Sequence, residues 1–179
     1  MKQLKDLQAF VEQIEKLCSD YEDLKVLIEL SAEEADESAA EEIEAELELF
    51  ESKFEEIRIR TLLTGPYDKD NAIVTLHAGA GGTESCDWAG MLYRMYVRWA
   101  EKKGFAVEVL DYLEGDVAGI KGVTFEVKGT NAYGYLRSEK GVHRLVRISP
   151  FNAAGKRQTS FASCDAVSYT HLDVYKRQI

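Results

Sequence analysis

Two stretches near the start of the chain carry apolar residues at the spacing of an amphipathic helix. Steps of three and four residues place side chains on one helix face, and they connect Leu4, Leu7, Val11, Ile14, Cys18 and Tyr21, and then Ile43, Leu47, Phe50, Phe54 and Ile57. The polar segment SAEEADES between them predicts a turn. We therefore expect two antiparallel helices in residues 1–66. Their apolar seam is covered by the rest of the chain, by a further helix or by a second copy.

The pattern changes after Gly65-Pro66, because proline lacks an amide donor and ends the second helix. Runs of β-branched and apolar residues predict strands at 72–77, 106–111 and 122–127. A helix from about Ser85 to Lys103 presents one broad apolar face, made of Trp88, Met91, Leu92, Met95, Tyr96 and Trp99. The following Gly104 supplies a C-terminal cap. This order predicts an α+β fold, an N-terminal helical hairpin followed by a small mixed β-sheet packed by one amphipathic helix.

Charge divides the chain at the same place. Residues 1–66 hold 7 Lys and Arg against 19 Asp and Glu, a net charge of -12, whereas residues 67–179 hold 15 against 13. Only Glu139 opposes the basic residues of the segment 137–157, which are Arg137, Lys140, Arg144, Arg147, Lys156 and Arg157. The second region is therefore the one suited to a polyanion.

Several classes of function are disfavoured. The three cysteines and three histidines are scattered, so we expect no metal site. No signal peptide and no apolar run of roughly 20 residues is present, which favours a cytoplasmic protein without a membrane partner. The glycine-rich segment AGAGGTES fits neither phosphate-binding motif, and Glu84 and Asp87 behind it disfavour a phosphate. We interpret it as a tight turn, and expect no cofactor and no small-molecule substrate.

Four ordered segments carry a resemblance to a known family: HAGAGGTESCDWAGMLYRMYVRWAEKKGF, EGDVAGIK, AYGYLRSEKGVHRLVRISPF and KRQTSFAS. Together they resemble the bacterial peptide chain release factor 2 family, over roughly residues 4–165. The resemblance implies translation termination, with recognition of the stop codons UAA and UGA in the ribosomal decoding site. It implies the ribosome, mRNA and ribosomal RNA as partners, and a monomer as the state of the intact protein.

The resemblance also assigns codon-recognising residues. The tripeptide Ser149-Pro150-Phe151 marks the factor specific for UAA and UGA, and a serine hydroxyl both donates and accepts, so it can contact A or G at the second position. Thr159 resembles the threonine that contacts the third base. Gln158 stands where many members have a stacking histidine, so it either stacks as an amide or tunes recognition differently.

Three further elements take their roles from the same resemblance. The segment 114–121, with Glu114 and Gly119, resembles the helix start that recognises the first uridine through backbone groups. Arg147 and Arg157 either contact RNA phosphate or fix the recognition segment. His143 lacks a catalytic partner at a telling spacing, and we expect it to be packed or to contact phosphate.

Peptidyl-tRNA hydrolysis in the family depends on a Gly-Gly-Gln motif, whereas Gly81-Gly82 is followed here by Thr83. We therefore expect no catalytic residue and no enzymatic activity. The codon-recognition domain is expected at 67–165 and to be incomplete. Residues 166–178, AVSYTHLDVYKRQ, can be encoded by an inverted repeat resembling two joined transposon ends, which predicts a non-native tail at 166–179.

Two functions of other classes stay open on the residues alone. The first is a non-catalytic protein-interaction module built on the acidic helical hairpin. The second is a nucleotide-binding enzyme that uses the glycine-rich loop at 79–82.

Overall fold

A computed structural model describes residues 2–34, 39–152 and 155–170. The chain divides into two compact units, Met1–Leu62 and Leu63–Ile179. The first unit holds the helices α1 (Lys2–Glu34) and α2 (Ala39–Leu62). The elements of the second unit follow in chain order: β1 (Ala72–Ala78), α3 (Thr83–Lys102), β2 (Ala106–Glu114), β3 (Ile120–Lys128), α4 (Ala132–Leu136), a 3-10 turn (Arg137–Glu139), β4 (Gly141–Ile148) and β5 (Arg157–Ser168).

The helices of the first unit run antiparallel, as predicted. Lys53 Nζ lies 2.7 Å from Asp20 Oδ2, and the Arg60 guanidinium lies 4.4 Å from the centre of the Phe10 ring. Early residues of α1 therefore meet late residues of α2. Part of the predicted turn, residues 35–38, lies outside the described residues.

The face of α1 that packs on α2 differs from the predicted one. Its buried or half-buried apolar residues are Phe10, Leu17, Leu24 and Leu27, whereas the predicted stripe from Leu4 to Tyr21 is exposed. The physical reason is that α1 carries two apolar stripes at heptad spacing, and two helices can bury only one of them against each other.

The sheet of the second unit has five strands in the order β2-β3-β1-β5-β4. The α+β class is confirmed, but all four strand pairings are antiparallel, so the predicted mixed sheet is wrong. The α3 crossover does leave β1 and β2 parallel to each other. They are not neighbours, however, because β3 lies between them and pairs with both.

The core of this unit lies between α3 and one face of the sheet. Phe125 and Leu76 are fully buried there, and they belong to one apolar cluster with Ala89, Leu92, Tyr96 and Ala100 of α3. Met95, predicted to share this face, is 48% exposed, because the helix buries its small residues Ala89 and Ala100 instead. Gly104, with φ 72°, follows the helix as the predicted cap.

The segment 114–121 is the tip of the β2–β3 hairpin and contains no helix, so the helix start predicted there is wrong. Gly115 N–H donates to Gly119 O at 3.0 Å and closes this tip. Gly119 has φ 69° and lies directly against the first turn of α3. A Cβ atom at Gly119 would lie 2.2 Å from the carbonyl carbon and oxygen of Cys86, so only glycine permits this contact.

The last strand continues past residue 165. Ala166 pairs with Val74 and Ser168 pairs with Ala72, and both Ala166 and Ser168 are buried. The first three residues of the predicted tail therefore complete β5 beside the central strand. Residues 171–179 of that tail lie outside the described residues.

Replacing Gly119 with alanine tests the contact between the hairpin tip and α3. Gly104→Ala is a matched control, because Gly104 has a similar φ of 72° but nothing within 4 Å of its Cβ position. In urea unfolding, the control should lower the free energy of unfolding by about 1 kcal/mol, because alanine is strained at a positive φ. Gly119→Ala should lower it by about 2 kcal/mol more, because the added methyl group overpacks the contact with α3. Equal losses would show that the tip does not press on α3.

Candidate nucleic-acid interface

The tripeptide corner begins where β4 ends. Ser149 is 4% exposed, and its Oγ donates to Glu84 Oε2 at 2.5 Å while accepting the Phe151 N–H at 3.2 Å. The Asn152 N–H donates to Ser149 O at 3.3 Å, which closes the turn. The hydroxyl of Ser149 is therefore held from two sides. Residues 153–154 of this corner lie outside the described residues.

Arg147 of β4 binds the carboxylate of Glu84 as well. Its Nε donates to Glu84 Oε1 at 2.5 Å and its Nη2 donates to Asp87 Oδ2 at 2.6 Å. Hydrogen bonding to Glu84 raises the pKa of the Arg147 guanidinium above its ordinary value, although partial burial opposes this. The Glu84 side chain is only 4% exposed. Both of its oxygens are nonetheless satisfied, as a buried carboxylate requires.

The start of α3 is shaped by the glycine-rich turn. Ser85 Oγ donates to Gly82 O at 2.7 Å, a second acceptor being Gly79 O at 2.9 Å. Gly81 has φ 136°, and a Cβ atom there would lie 2.7 Å from Ser160 Oγ. The Ser160 hydroxyl is buried and has no hydrogen-bond partner within the described part of the chain. The first amide groups of a helix also lack intrahelical partners, so this end of α3 presents free donors.

The other predicted residues surround this cluster on exposed positions. Phe151 is 46% exposed and Pro150 is exposed. Gln158 pairs with Arg147 in the β4–β5 register, so its side chain shares the face of the sheet that α3 covers. Arg157 and Thr159 are exposed as well, and they project from the opposite face because strand residues alternate.

The structure brings together Ser149 and Arg147 but not Glu114, which is exposed at the end of β2. The cluster instead contains Glu84 and Asp87, which the sequence had indicated only as groups that disfavour a phosphate. One feature of the sequence could have indicated this pairing. Two carboxylates lie three residues apart in the first turn of a predicted helix, and the same chain contains a basic strand.

His143 is packed rather than free. Its Nε2 lies 2.9 Å from Glu139 O, its own carbonyl accepts the Trp88 Nε1–H at 3.1 Å, and its ring meets Tyr96 edge-on at 6.5 Å. Of the two roles expected for His143, the geometry therefore favours packing. Within residues 2–34, 39–152 and 155–170, no group of three or more His, Cys, Asp and Glu could hold a metal ion. In those same ranges, no helix is long and apolar enough to cross a membrane.

The family model described as the PCRF domain matches residues 1–164. The chain belongs to the PCRF domain family. This PCRF family member is similar to a solved structure described as RF2 of Thermus thermophilus, with a TM-score of 0.64 and 48% sequence identity. That similarity covers 90% of this chain and 45% of the other.

Curated relatives of this PCRF family member are named peptide chain release factor 2. The protein of Staphylococcus aureus strain COL is 56% identical over 161 residues, and that of Exiguobacterium sp. is 52% identical over the same length. Both matches cover 90% of this chain and 44% of the relative. The Listeria innocua protein is 57% identical over 146 residues, 82% of this chain and 40% of the relative. The chain thus spans less than half the length of these relatives.

Removing the Arg147 side chain should destabilise the second unit, because Glu84 would stay buried without its cation. We expect Arg147→Ala to lower the free energy of unfolding by about 2–3 kcal/mol, as Arg147 is itself 27% exposed. Arg144→Ala is the matched control on the same strand, since Arg144 is exposed on the other face and its loss should cost less than about 0.5 kcal/mol. Urea unfolding measures both, and equal effects would contradict a structural role for the ion pair.

Proposed function

We propose that this PCRF family member recognises the stop codons UAA and UGA in the ribosomal decoding site during translation termination. The observation that carries the proposal is the corner Ser149-Pro150-Phe151, whose serine is bound to the first turn of α3 through Glu84. The similarity to relatives named peptide chain release factor 2 supports it. Its partners are the ribosome, the mRNA stop codon and ribosomal RNA, and its setting is the cytoplasm.

The second base of the codon meets Ser149. Because Ser149 Oγ donates a hydrogen bond to Glu84 and accepts one from the Phe151 N–H, one lone pair is left for a base edge that donates, as adenine does. A base edge that accepts, as guanine does, takes the hydrogen bond of the hydroxyl when it rotates away from Glu84. One serine thus accommodates A and G, while Phe151 supplies apolar surface beside the base.

The first base meets the start of α3, in place of the hairpin tip first assigned to it. The free amide groups of Gly82 and Thr83 are suited to the carbonyl oxygens of uracil. The hairpin tip supports this site from behind, because Gly119 presses on the backbone of Cys86. Gly119 therefore acts on the codon through α3, whereas Glu114 lies exposed at the end of β2.

Arg147 is a positioning residue and does not contact RNA. Both sides of its guanidinium fork are occupied by Glu84 and Asp87. Arg157 is exposed and is free to contact a phosphate, which orients the protein on RNA without sequence information. Exposed Thr159 contacts the third base and Gln158 offers a planar amide to the codon.

Recognition is separate from hydrolysis in this proposal. The chain contains no Gly-Gly-Gln, and Gly81-Gly82 is followed by Thr83 at the beginning of α3. We propose that the chain binds the termination signal as a monomer and leaves peptidyl-tRNA hydrolysis to parts of the longer relatives that it does not span.

Binding to ribosomes programmed with each stop codon tests this function. The chain should bind UAA and UGA ribosomes at least tenfold more tightly than UAG ribosomes, and Ser149→Ala should weaken its binding to UAA and UGA ribosomes about tenfold, because the contact to the second base is lost. Ser163→Ala is the control, because Ser163 is exposed on β5 away from the corner, and it should keep the preference. Circular dichroism checks that both variants are folded. Equal affinity of the wild-type chain for all three codons would overturn the proposal.

A further inference from the structure

The indole of Trp88 connects α3 to the middle of β4. Its Nε1–H donates to His143 O at 3.1 Å, and its half-buried ring packs against the apolar cluster of the second unit. An indole N–H that leaves water needs an acceptor. Here the acceptor belongs to the strand that carries Arg147 and leads into Ser149, so the hydrogen bond fixes the distance between the helix and that strand.

The position of Trp88 on α3 places this hydrogen bond beside the ion pair of the corner. Glu84, Trp88 and Met91 follow one another at i, i+4 and i+7, so they share one face of the helix. Glu84 binds Arg147 Nε, and Met91 Sδ lies 3.4 Å from Arg147 Nη1. Trp88 therefore lies between the two α3 residues that contact Arg147.

The two contacts lie at different heights along β4. His143 and Arg147 are four residues apart on this strand, so they share one face of it and lie about 13 Å apart along its axis. β4 is the edge strand of the described sheet, with β5 as its neighbour. An edge strand that is anchored to the helix at one point can pivot about that point, whereas two anchors fix its direction. The direction of β4 sets where the corner that follows it begins.

We propose that Trp88 is a positioning residue for codon recognition, which holds β4 so that Ser149 meets the start of α3. This inference rests on the proposed function. The hydrogen bond from Ser149 Oγ to Glu84 Oε2 is 2.5 Å long and leaves little room for displacement. Without the Trp88 hydrogen bond the strand can pivot about Arg147, and a binding site loses function once its groups move by more than about 0.5 Å. Trp88 thus acts on the codon through Ser149.

The other tryptophan of the sequence provides a matched control. Trp99 is also half-buried on α3 and packs against the same apolar cluster. Its ring meets those of Phe105 at 5.6 Å and Tyr135 at 5.9 Å, toward the other end of the helix. Phenylalanine at either position removes the same atoms. Both variants therefore lose indole packing, but Trp88→Phe also loses the hydrogen bond to β4.

Binding of the full chain to UGA ribosomes separates positioning from packing. Trp88→Phe should lower the affinity about fivefold, the usual effect of one lost hydrogen bond, and Trp99→Phe less than about twofold. In a chain that already carries Ser149→Ala, Trp88→Phe should cause less than about a twofold further loss, because a residue that acts through Ser149 has nothing left to position. A merely structural role would lower the affinity by the same factor in both backgrounds, and that result would overturn the proposal.

Amide hydrogen exchange tests the same role without the ribosome. The Phe151 N–H donates to Ser149 Oγ and the Asn152 N–H to Ser149 O, so both amides report on the order of the corner. Relative to the amides of the central strand β1, they should exchange about fivefold faster in Trp88→Phe and at the wild-type rate in Trp99→Phe. Wild-type exchange in Trp88→Phe, or equal acceleration in both variants, would overturn the inference. Equal affinity of the wild-type chain for UGA and UAG ribosomes would instead overturn the proposed function, and the exchange rates would still decide whether Trp88 positions the corner.

Discussion

The carboxylate of Glu84 is the group on which the candidate interface depends. It lies almost fully buried at the start of α3, where an unpaired charge would cost several kcal/mol. Arg147 occupies one of its oxygens and Ser149 the other. The strand β4, the corner that follows it and the helix start are therefore held as one body, although 63 residues separate Glu84 from Arg147 in the chain.

The glycines around the start of α3 let neighbouring backbones approach it closely. The turn before α3 has to approach β5 closely, and Gly81 leaves room for the buried hydroxyl of Ser160. On the other side the β2–β3 tip approaches α3 at Gly119. The glycine-rich turn thus serves close packing between backbones, and it leaves the amide groups of the helix start open beside the corner. A phosphate would meet Glu84 and Asp87 there, whereas an uncharged base would not be repelled.

Most of the secondary structure could be predicted from the sequence, because the spacing of apolar residues depends on the geometry of a single helix or strand. The two N-terminal helices, the helix α3 and its Gly104 cap all follow from periodicity. Spacing could not tell which of the two apolar stripes on α1 packs against α2, because both repeat every seven residues. It could not show that β3 would lie between β1 and β2, which makes the sheet antiparallel. The pairing of Glu84 with Arg147 is a tertiary contact, and a single sequence carries no direct signal for it.

The central claim is that Glu84 and Arg147 act together to present Ser149 to the codon. A double-mutant cycle on the affinity for UGA ribosomes tests it most directly, with Glu84→Gln, Arg147→Met and the double variant. Each single change should lower this affinity about tenfold, which corresponds to about 1.4 kcal/mol. The double variant should lower it no further than the larger single change, because coupled residues are not additive. If the fold-losses of affinity of the two single variants multiplied in the double variant, the two residues would act independently, which would contradict the account.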